Sequence, residues 1–360
     1  MSATATREDL ATRIEEVLRL RFAERTTAAA RYGTEFVALW QAASEHALGG
    51  KLIRPRLLLD LLTALSSSAL DDDEMRRAVE VAVDVEMLHF AFLLHDDVID
   101  GDLIRRRRPN LIGSLAARHG AEPSEPVLHW ARSSAILLGD LLLASATIGF
   151  ARTEADAETR ERLLALLEQT IFETVAGEHA DIALSDGIVT PDLRTILSTS
   201  AYKTATYSFA LPLRAAAVLA GATPAVESQL AALGQHLGLA YQLQDDLLSV
   251  FGDPSAHGKD AFSDLREGKE TAIIAYARMT GHWPSIELRF GTAELSVADA
   301  ADMRDRLREC GAEQFVRGLV QEQLTAAATL VAEAEESDAL PSTAARTILA
   351  LADRIEGRQG

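Results

Sequence analysis

Residues 81–100 read VAVDVEMLHFAFLLHDDVID. From Val81 to Leu94 the stretch is apolar except at Asp84, Glu86 and His89, and it lies within a helical pattern over 74–98. Three aspartates, Asp96, Asp97 and Asp100, follow directly. A spacing of four puts the Asp96 and Asp100 carboxylates on one helix face. Burying charge without a partner is costly, so carboxylates that emerge straight from the apolar run Phe90–Leu94 call for counter-ions. Two carboxylates stacked on one face suit magnesium, which keeps some of its waters and accepts phosphate oxygens. Taken alone, the pattern also fits a solvated acidic helix end.

A second acidic run, Asp245-Asp246, ends the apolar helix Leu230–Leu243 far along the chain. Two such helices facing each other across a cavity would hold several magnesium ions and clamp a diphosphate between them. The basic residues fit that reading. Lys51, Arg54 and Arg56 follow the Gly49-Gly50 turn, Arg105–Arg108 run four in a row just beyond Asp100, and Lys203, Lys259 and Lys269 stand out among few lysines. Arginine binds phosphate oxygens in pairs, and lysine acts on them as a point charge. In isolation Arg105–Arg108 reads as a solvated basic loop. Beside acidic residues in a chain of net charge −19, it reads better as an anion site.

The rest of the chain points to helix. Of its 360 residues, 48% are hydrophobic but only 5% aromatic, with Ala and Leu dominant. Helical periodicity is expected over 7–30, 34–47, 53–66, 74–98, 128–151, 157–184, 192–221, 224–251, 269–280, 298–309 and 311–335, with 281–297 irregular. Turns fall at Gly49-Gly50, Arg108-Pro109-Asn110, Pro123, Pro191, Pro224 and Pro254. No long Gly/Ser linker divides the chain, so one all-α domain over 1–360 is expected. The strong negative charge argues against nucleic acid as the main partner. No transmembrane segment is expected, because Asp140 interrupts 134–151, the nearest candidate. Met1–Arg13 has no apolar core of a secretory signal, and the single Cys310 suits a reducing cytoplasm.

Five ordered motifs resemble the trans-isoprenyl diphosphate synthases, or polyprenyl synthetases, over roughly 45–275. They are Gly50-Lys51-Leu52-Ile53-Arg54-Pro55; His89 with Asp96-Asp97-Val98-Ile99-Asp100, Arg105-Arg106 and Pro109; Lys203-Thr204; Gln242-Leu243-Gln244-Asp245-Asp246; and Gly258-Lys259 with Asp264 to Lys269. The resemblance implies the isoprenoid synthase fold, an antiparallel helical bundle around a central cavity, and a homodimer. It implies magnesium, about three ions per active site, held by Asp96, Asp100 and Asp245. Lys51, Arg54, His89 and Arg106 would hold isopentenyl diphosphate. Arg105, Lys203 and Lys259, with Lys269 as a further contact, would hold the allylic diphosphate. Thr204 and Gln242 would lie near the reacting carbon. His89 rests on its spacing to Asp96 alone, since a histidine on an apolar helix is more often structural. Asp140 and Tyr241 read as structural.

The chain departs from the family pattern at two places. Ser249 stands where the family usually has a third aspartate, with Asp253 two turns beyond Asp245, and Arg107 stands where glycine is usual. Ser249 opens a rival, a class I terpene cyclase acting on one prenyl diphosphate. A cyclase, however, has no need of the second diphosphate site that Lys51, Arg54 and Arg106 would make. An inactive regulatory subunit of a heteromeric synthase is a further alternative, and such subunits typically lose an acidic motif. Ala91 and Phe92, five and four residues before Asp96, would set product length. Phe92 argues against very long products, so geranylgeranyl diphosphate (C20) is expected, with farnesyl diphosphate (C15) second.

Overall fold

The computed structural model of the chain describes residues 7–105, 108–252, 262–292 and 294–358, with side chains from Leu10 onward. Helix dominates, as the composition predicts. Among the described residues the strands are β1 (Ile104–Arg105) and β2 (Arg108–Pro109), an antiparallel pair with Ile104 opposite Pro109 and Arg105 opposite Arg108. Within this all-α domain two compact units are distinguished. One takes the chain up to Leu167 with Ala215–Ala222, and the other takes Glu168–Arg214 with Thr223 onward.

The first unit contains α1 (Arg7–Ala29), α2 (Thr34–Ala47), α3 (Ile53–Leu65), α4 (Asp72–Ile99), α5 (Leu111–Ala117), α6 (Glu125–Ala151) and the start of α7 (Ala157–Ser185). Helix α4 starts at a capping box, in which Asp71 accepts from the Glu74 N–H at 2.7 Å and Glu74 accepts from the Asp71 N–H at 2.9 Å. It stops at Gly101, whose φ of 73° is one that side chains disfavour. Along α6, Ala131, Ala135, Leu138, Leu142, Ala146 and Phe150 recur every three or four residues, are buried, and pack on α4. Each Leu or Phe buried so fully contributes roughly 1.5–3 kcal/mol. Helix α6 is the one described helix long and apolar enough to cross a membrane, yet this face of it is core. Its other face exposes Ile136, Leu137, Leu141 and Ile148.

The second unit contains the rest of α7, α8 (Leu193–Ser200), a π-helical segment (Ala201–Ala210), the start of α9 (Leu211–Leu219), α10 (Pro224–Phe251), α11 (Ser263–Glu267), α12 (Ala272–Arg278), α13 (Trp283–Glu287), α14 (Val297–Glu309), α15 (Ala312–Glu336) and α16 (Ser342–Glu356). Helix α10 is its centre, packed by both the π segment and α15. The periodicity predicts one helix over 192–221, but the chain builds it in three pieces. Pro212 has no N–H and would crowd the carbonyl four residues back, and the widened turns immediately precede it. A Cβ on Gly177 of α7 would sit 2.3 Å from the Lys203 nitrogen, so only glycine lets α7 approach the π segment this closely. Helices α5, α11, α13 and α16 lie outside the predicted ranges.

Candidate active site

In the first unit the acidic run is a helix end with two different surfaces. Helical register continues to its last aspartate, since the Asp100 N–H donates to the Asp96 carbonyl at 2.9 Å. Asp96 is half-buried and Asp100 exposed, on one face, whereas Asp97 is buried. The loop beyond folds back through Asn110, which donates to the Asp102 carbonyl at 2.8 Å and accepts from the Gly113 N–H at 2.9 Å. That fold brings Arg105 of β1 onto the run. Its Nε and Nη2 donate to Asp97 at 2.9 and 2.6 Å, and Nη2 also reaches Asp96 at 3.0 Å. Burial raises the Asp97 pKa, and Arg105 opposes the shift. Burial lowers that of Arg105, but the two carboxylates outweigh it and leave it raised.

The same unit carries the first basic motif. Leu52 enters α3 at a left-handed φ of 48°, placing Lys51 in solvent and Arg54 half-buried at the helix start. The turn before them lies against α4, since a Cβ on Gly50 would be 3.9 Å from Glu86 Oε1. His89 is half-buried on α4, one turn beyond Glu86. Phe92 is half-buried one turn before Asp96, and Ala91 is fully buried. Three turns before Asp96, Asp84 is buried and ion-paired with Arg21 of α1. Burial pushes its pKa up to about 7, against the pull of Arg21. This pair was not legible in the sequence.

In the second unit the acidic run ends α10 in a similar way. Asp245 is half-buried, and its Oδ1 lies 3.1 Å from Nη2 of Arg358, just beyond α16. Asp246 is buried and accepts from Gln242 at 2.8 Å. Burial raises the Asp246 pKa to about 7, with Lys269 opposing and Asp264 adding to the shift. Lys203 and Thr204 are half-buried on the π segment. The Lys203 ammonium pairs with Glu178 at 3.0 Å and Asp181 at 2.6 Å, both on α7. Burial lowers the Lys269 pKa, but Asp264, Asp246 and Asp181 outweigh it, so it ends raised. Asp181 therefore serves both lysines. Sequence reasoning passed over Glu178, Asp181 and Arg358. The first two carried a signal, being acidic residues three apart on a helix with apolar neighbours. Ser249 donates to the Asp245 carbonyl at 3.2 Å, so its hydroxyl is engaged within its own helix.

Arg106 and Lys259, with Arg107, Asp253 and Gly258, lie outside the described residues. No three metal-ligating side chains converge among the described residues. The available donors are carboxylates, half-buried at Asp96 and Asp245 and exposed at Asp100. In each unit by itself, carboxylates of this kind suit a hard cation that takes its remaining ligands from water and phosphate. A cavity of about 550 Å³ lined by Arg77, Glu154, Asp156 and Thr159 belongs elsewhere. Arg77 precedes Asp96 by more than five helical turns, roughly 28 Å along α4.

A polyprenyl synthetase family model matches residues 37–286. The chain is 31% identical over 304 residues to the short chain isoprenyl diphosphate synthase of Methanothermobacter thermautotrophicus, covering 82% of this chain and 85% of that protein. It is 29% identical over 276 residues to the geranylgeranyl diphosphate synthase of Methanosarcina mazei, covering 75% and 76% of the two chains. In three dimensions it matches the geranylgeranyl pyrophosphate synthase of Corynebacterium glutamicum, complexed with isoprenyl diphosphate and magnesium. The TM-score is 0.83 at 28% identity, covering 96% of this chain and 98% of that one. The family match spans every motif from Gly50 to Lys269, and the chain belongs to the polyprenyl synthetase family.

Proposed function

We propose that the protein is a magnesium-dependent trans-prenyltransferase. It condenses isopentenyl diphosphate with an allylic diphosphate to a short-chain all-trans prenyl diphosphate, geranylgeranyl diphosphate first and farnesyl diphosphate second. The observation that carries the reading is the pairing of acidic helix ends with cations. Arg105 sits on Asp96 and Asp97, and Lys203 and Lys269 stand among the carboxylates of α7 and α10. The relatives' activities and the bound groups of the C. glutamicum enzyme support the same reaction and a divalent metal.

Asp96, Asp100 and Asp245 are the metal-holding carboxylates. When bound, magnesium supplies positive charge to the departing diphosphate. Arg105, Lys203, Lys259 and Lys269 hold the allylic diphosphate and stabilise the charge that grows on it as the carbon–oxygen bond breaks. Lys51, Arg54, His89 and Arg106 hold isopentenyl diphosphate so that its double bond meets the allylic cation. Thr204 and Gln242 offer dipoles near that carbon, and the apolar wall of α4 keeps water away. The proton lost afterwards goes to the released diphosphate. Phe92, on the side of α4 that carries Asp96, floors the space for the growing tail. The Ser249 hydroxyl donates within its own helix and offers only a neutral oxygen, and the second diphosphate site of Lys51, Arg54 and Arg106 is one that a cyclase does not need.

The same reading makes the protein a cytoplasmic homodimer, with the exposed apolar side chains of α6 as the contact between copies. The decisive assay incubates the protein with magnesium, labelled isopentenyl diphosphate and each allylic primer, and resolves products by length. Elongation of dimethylallyl, geranyl or farnesyl diphosphate is expected. A cyclic hydrocarbon made from one allylic diphosphate alone would overturn the proposal.

A further inference from the structure

Arg358 makes three contacts in the second unit. Its Nη2 is 3.1 Å from Asp245 Oδ1, its guanidinium carbon is 4.0 Å from the centre of the Tyr241 ring, and its carbonyl accepts from Gln244 at 3.2 Å. The approach is built in, because α16 is tied to α15 by Gln321 donating to Glu356 at 2.8 Å two residues earlier. A guanidinium over an aromatic face and against a carboxylate is well seated. The seat is nevertheless incomplete, since Nη1 is buried with no hydrogen-bond partner among the described residues. A buried donor without an acceptor is unfavourable, so this arrangement is one the side chain can give up.

We infer that Arg358 is a counter-ion of Asp245, and that a divalent metal binding at this carboxylate displaces it. The inference rests on Asp245 being a metal carboxylate. A carboxylate oxygen paired with a guanidinium at 3.1 Å is not simultaneously open to a cation in the same direction. Metal binding at Asp245 is therefore an exchange of one cation for another, and it removes one of the three contacts that hold the segment beyond α16. Asp96 also carries an arginine, but there Nη2 of Arg105 is shared with Asp97, so that arginine keeps an anion when Asp96 turns to a metal. Among the described residues Arg358 has no such second carboxylate.

The test measures Mn²⁺ binding to the full chain in the presence of inorganic pyrophosphate, by the loss of the free-ion electron paramagnetic resonance signal. Arg358→Met should tighten Mn²⁺ binding about two- to fivefold, the upper part of the range measured for ion pairs that remain partly exposed. Arg358→Lys should tighten it less. Tyr241→Ala, which removes the ring beneath the guanidinium, should move affinity in the same direction. In the wild type, amide exchange across residues 355–358 should accelerate when metal is added. Unchanged or weaker Mn²⁺ binding in Arg358→Met overturns the inference, including the case in which the variant only lowers thermal stability. Asp245→Asn separates the two layers. If it leaves Mn²⁺ binding unchanged, the metal role of Asp245 fails and the inference with it. If it weakens binding while Arg358→Met has no effect, the inference alone fails.

Discussion

The acidic ends of α4 and α10 are built on one plan and held in two ways. In each, the first aspartate is about one-fifth exposed, 21% at Asp96 and 23% at Asp245. In each the second is buried, at Asp97 and Asp246. One residue further round a helix turns a side chain by about 100°, so the first carboxylate faces outward and the second inward. The counter-ions differ. Asp96 and Asp97 share Arg105, nine and eight residues away, brought round by a short hairpin. Asp245 meets Arg358 across 113 residues, and Asp246 depends on Gln242 and Lys269. The first cluster is thus satisfied locally. The second is complete only once α16 has docked on the unit.

Replacing the outward carboxylates should break the comparison most strongly. Asp96→Ala is expected to lower kcat by about 10³-fold or more, roughly 4 kcal/mol of transition-state stabilisation. Far-ultraviolet circular dichroism and thermal midpoint should remain near wild type, because Asp96 is not core. Normal turnover in this variant would remove the metal role of α4.

Asp84 shows what burial does to a carboxylate away from either cluster. Its native pKa is raised to about 7 by burial. The folded state therefore binds a proton more tightly than the unfolded chain between about pH 4 and 7. The stability this contributes is complete below the unfolded value and is lost as pH rises through the folded one. Denaturant titrations should show wild-type stability falling over that window relative to Asp84→Asn. The slope is on the order of 1.4 kcal/mol per pH unit while the two states differ by one proton. A wild-type curve parallel to that of Asp84→Asn would place the titration elsewhere.

Ser249→Asp would make the second cluster more like the first, adding a carboxylate four residues after Asp245 as Asp100 follows Asp96. It also frees the Asp245 carbonyl of the serine hydroxyl. Calorimetry should show Mg²⁺ with pyrophosphate bound about three- to tenfold more tightly. An unchanged affinity would mean that α10 presents only one metal-facing position.

The smallest effect distinguishes the aromatics one turn before each cluster, Phe92 and Tyr241. Phe92→Ala should lengthen the products, shifting the distribution by one or more isoprene units. Tyr241 is engaged with Arg358 at 4.0 Å and with Phe209 at 5.2 Å between ring centres, so Tyr241→Ala should leave product length alone. If Phe92→Ala does not change the distribution, the floor lies on another helix.

What could be read in advance follows the range of each interaction. Composition and a 3.6-residue period gave the all-α class and most long helices, because helices close their hydrogen bonds within four residues. The acidic and basic motifs were legible for the same reason, as side chains of one turn. Even so, the apolar positions of α16 recur at helical spacing through Ala344, Ile348, Leu351 and Ile355, a signal that was present and missed. The widened turns at 201–210 answer to Pro212 and to the close approach at Gly177, and the second of these is invisible to a local pattern.

The sequence by itself determined which groups the protein carries: paired carboxylates, clustered cations of the kind that suit phosphate, and apolar helices to hold them. Only the tertiary structure decided how each charge is balanced. It put Asp84 with Arg21, Lys203 between Glu178 and Asp181, and Asp245 with Arg358. Burial makes an unpaired charge costly wherever its partner lies along the chain. The need for a partner can therefore be read locally, but its identity depends on which distant helix the core brings alongside.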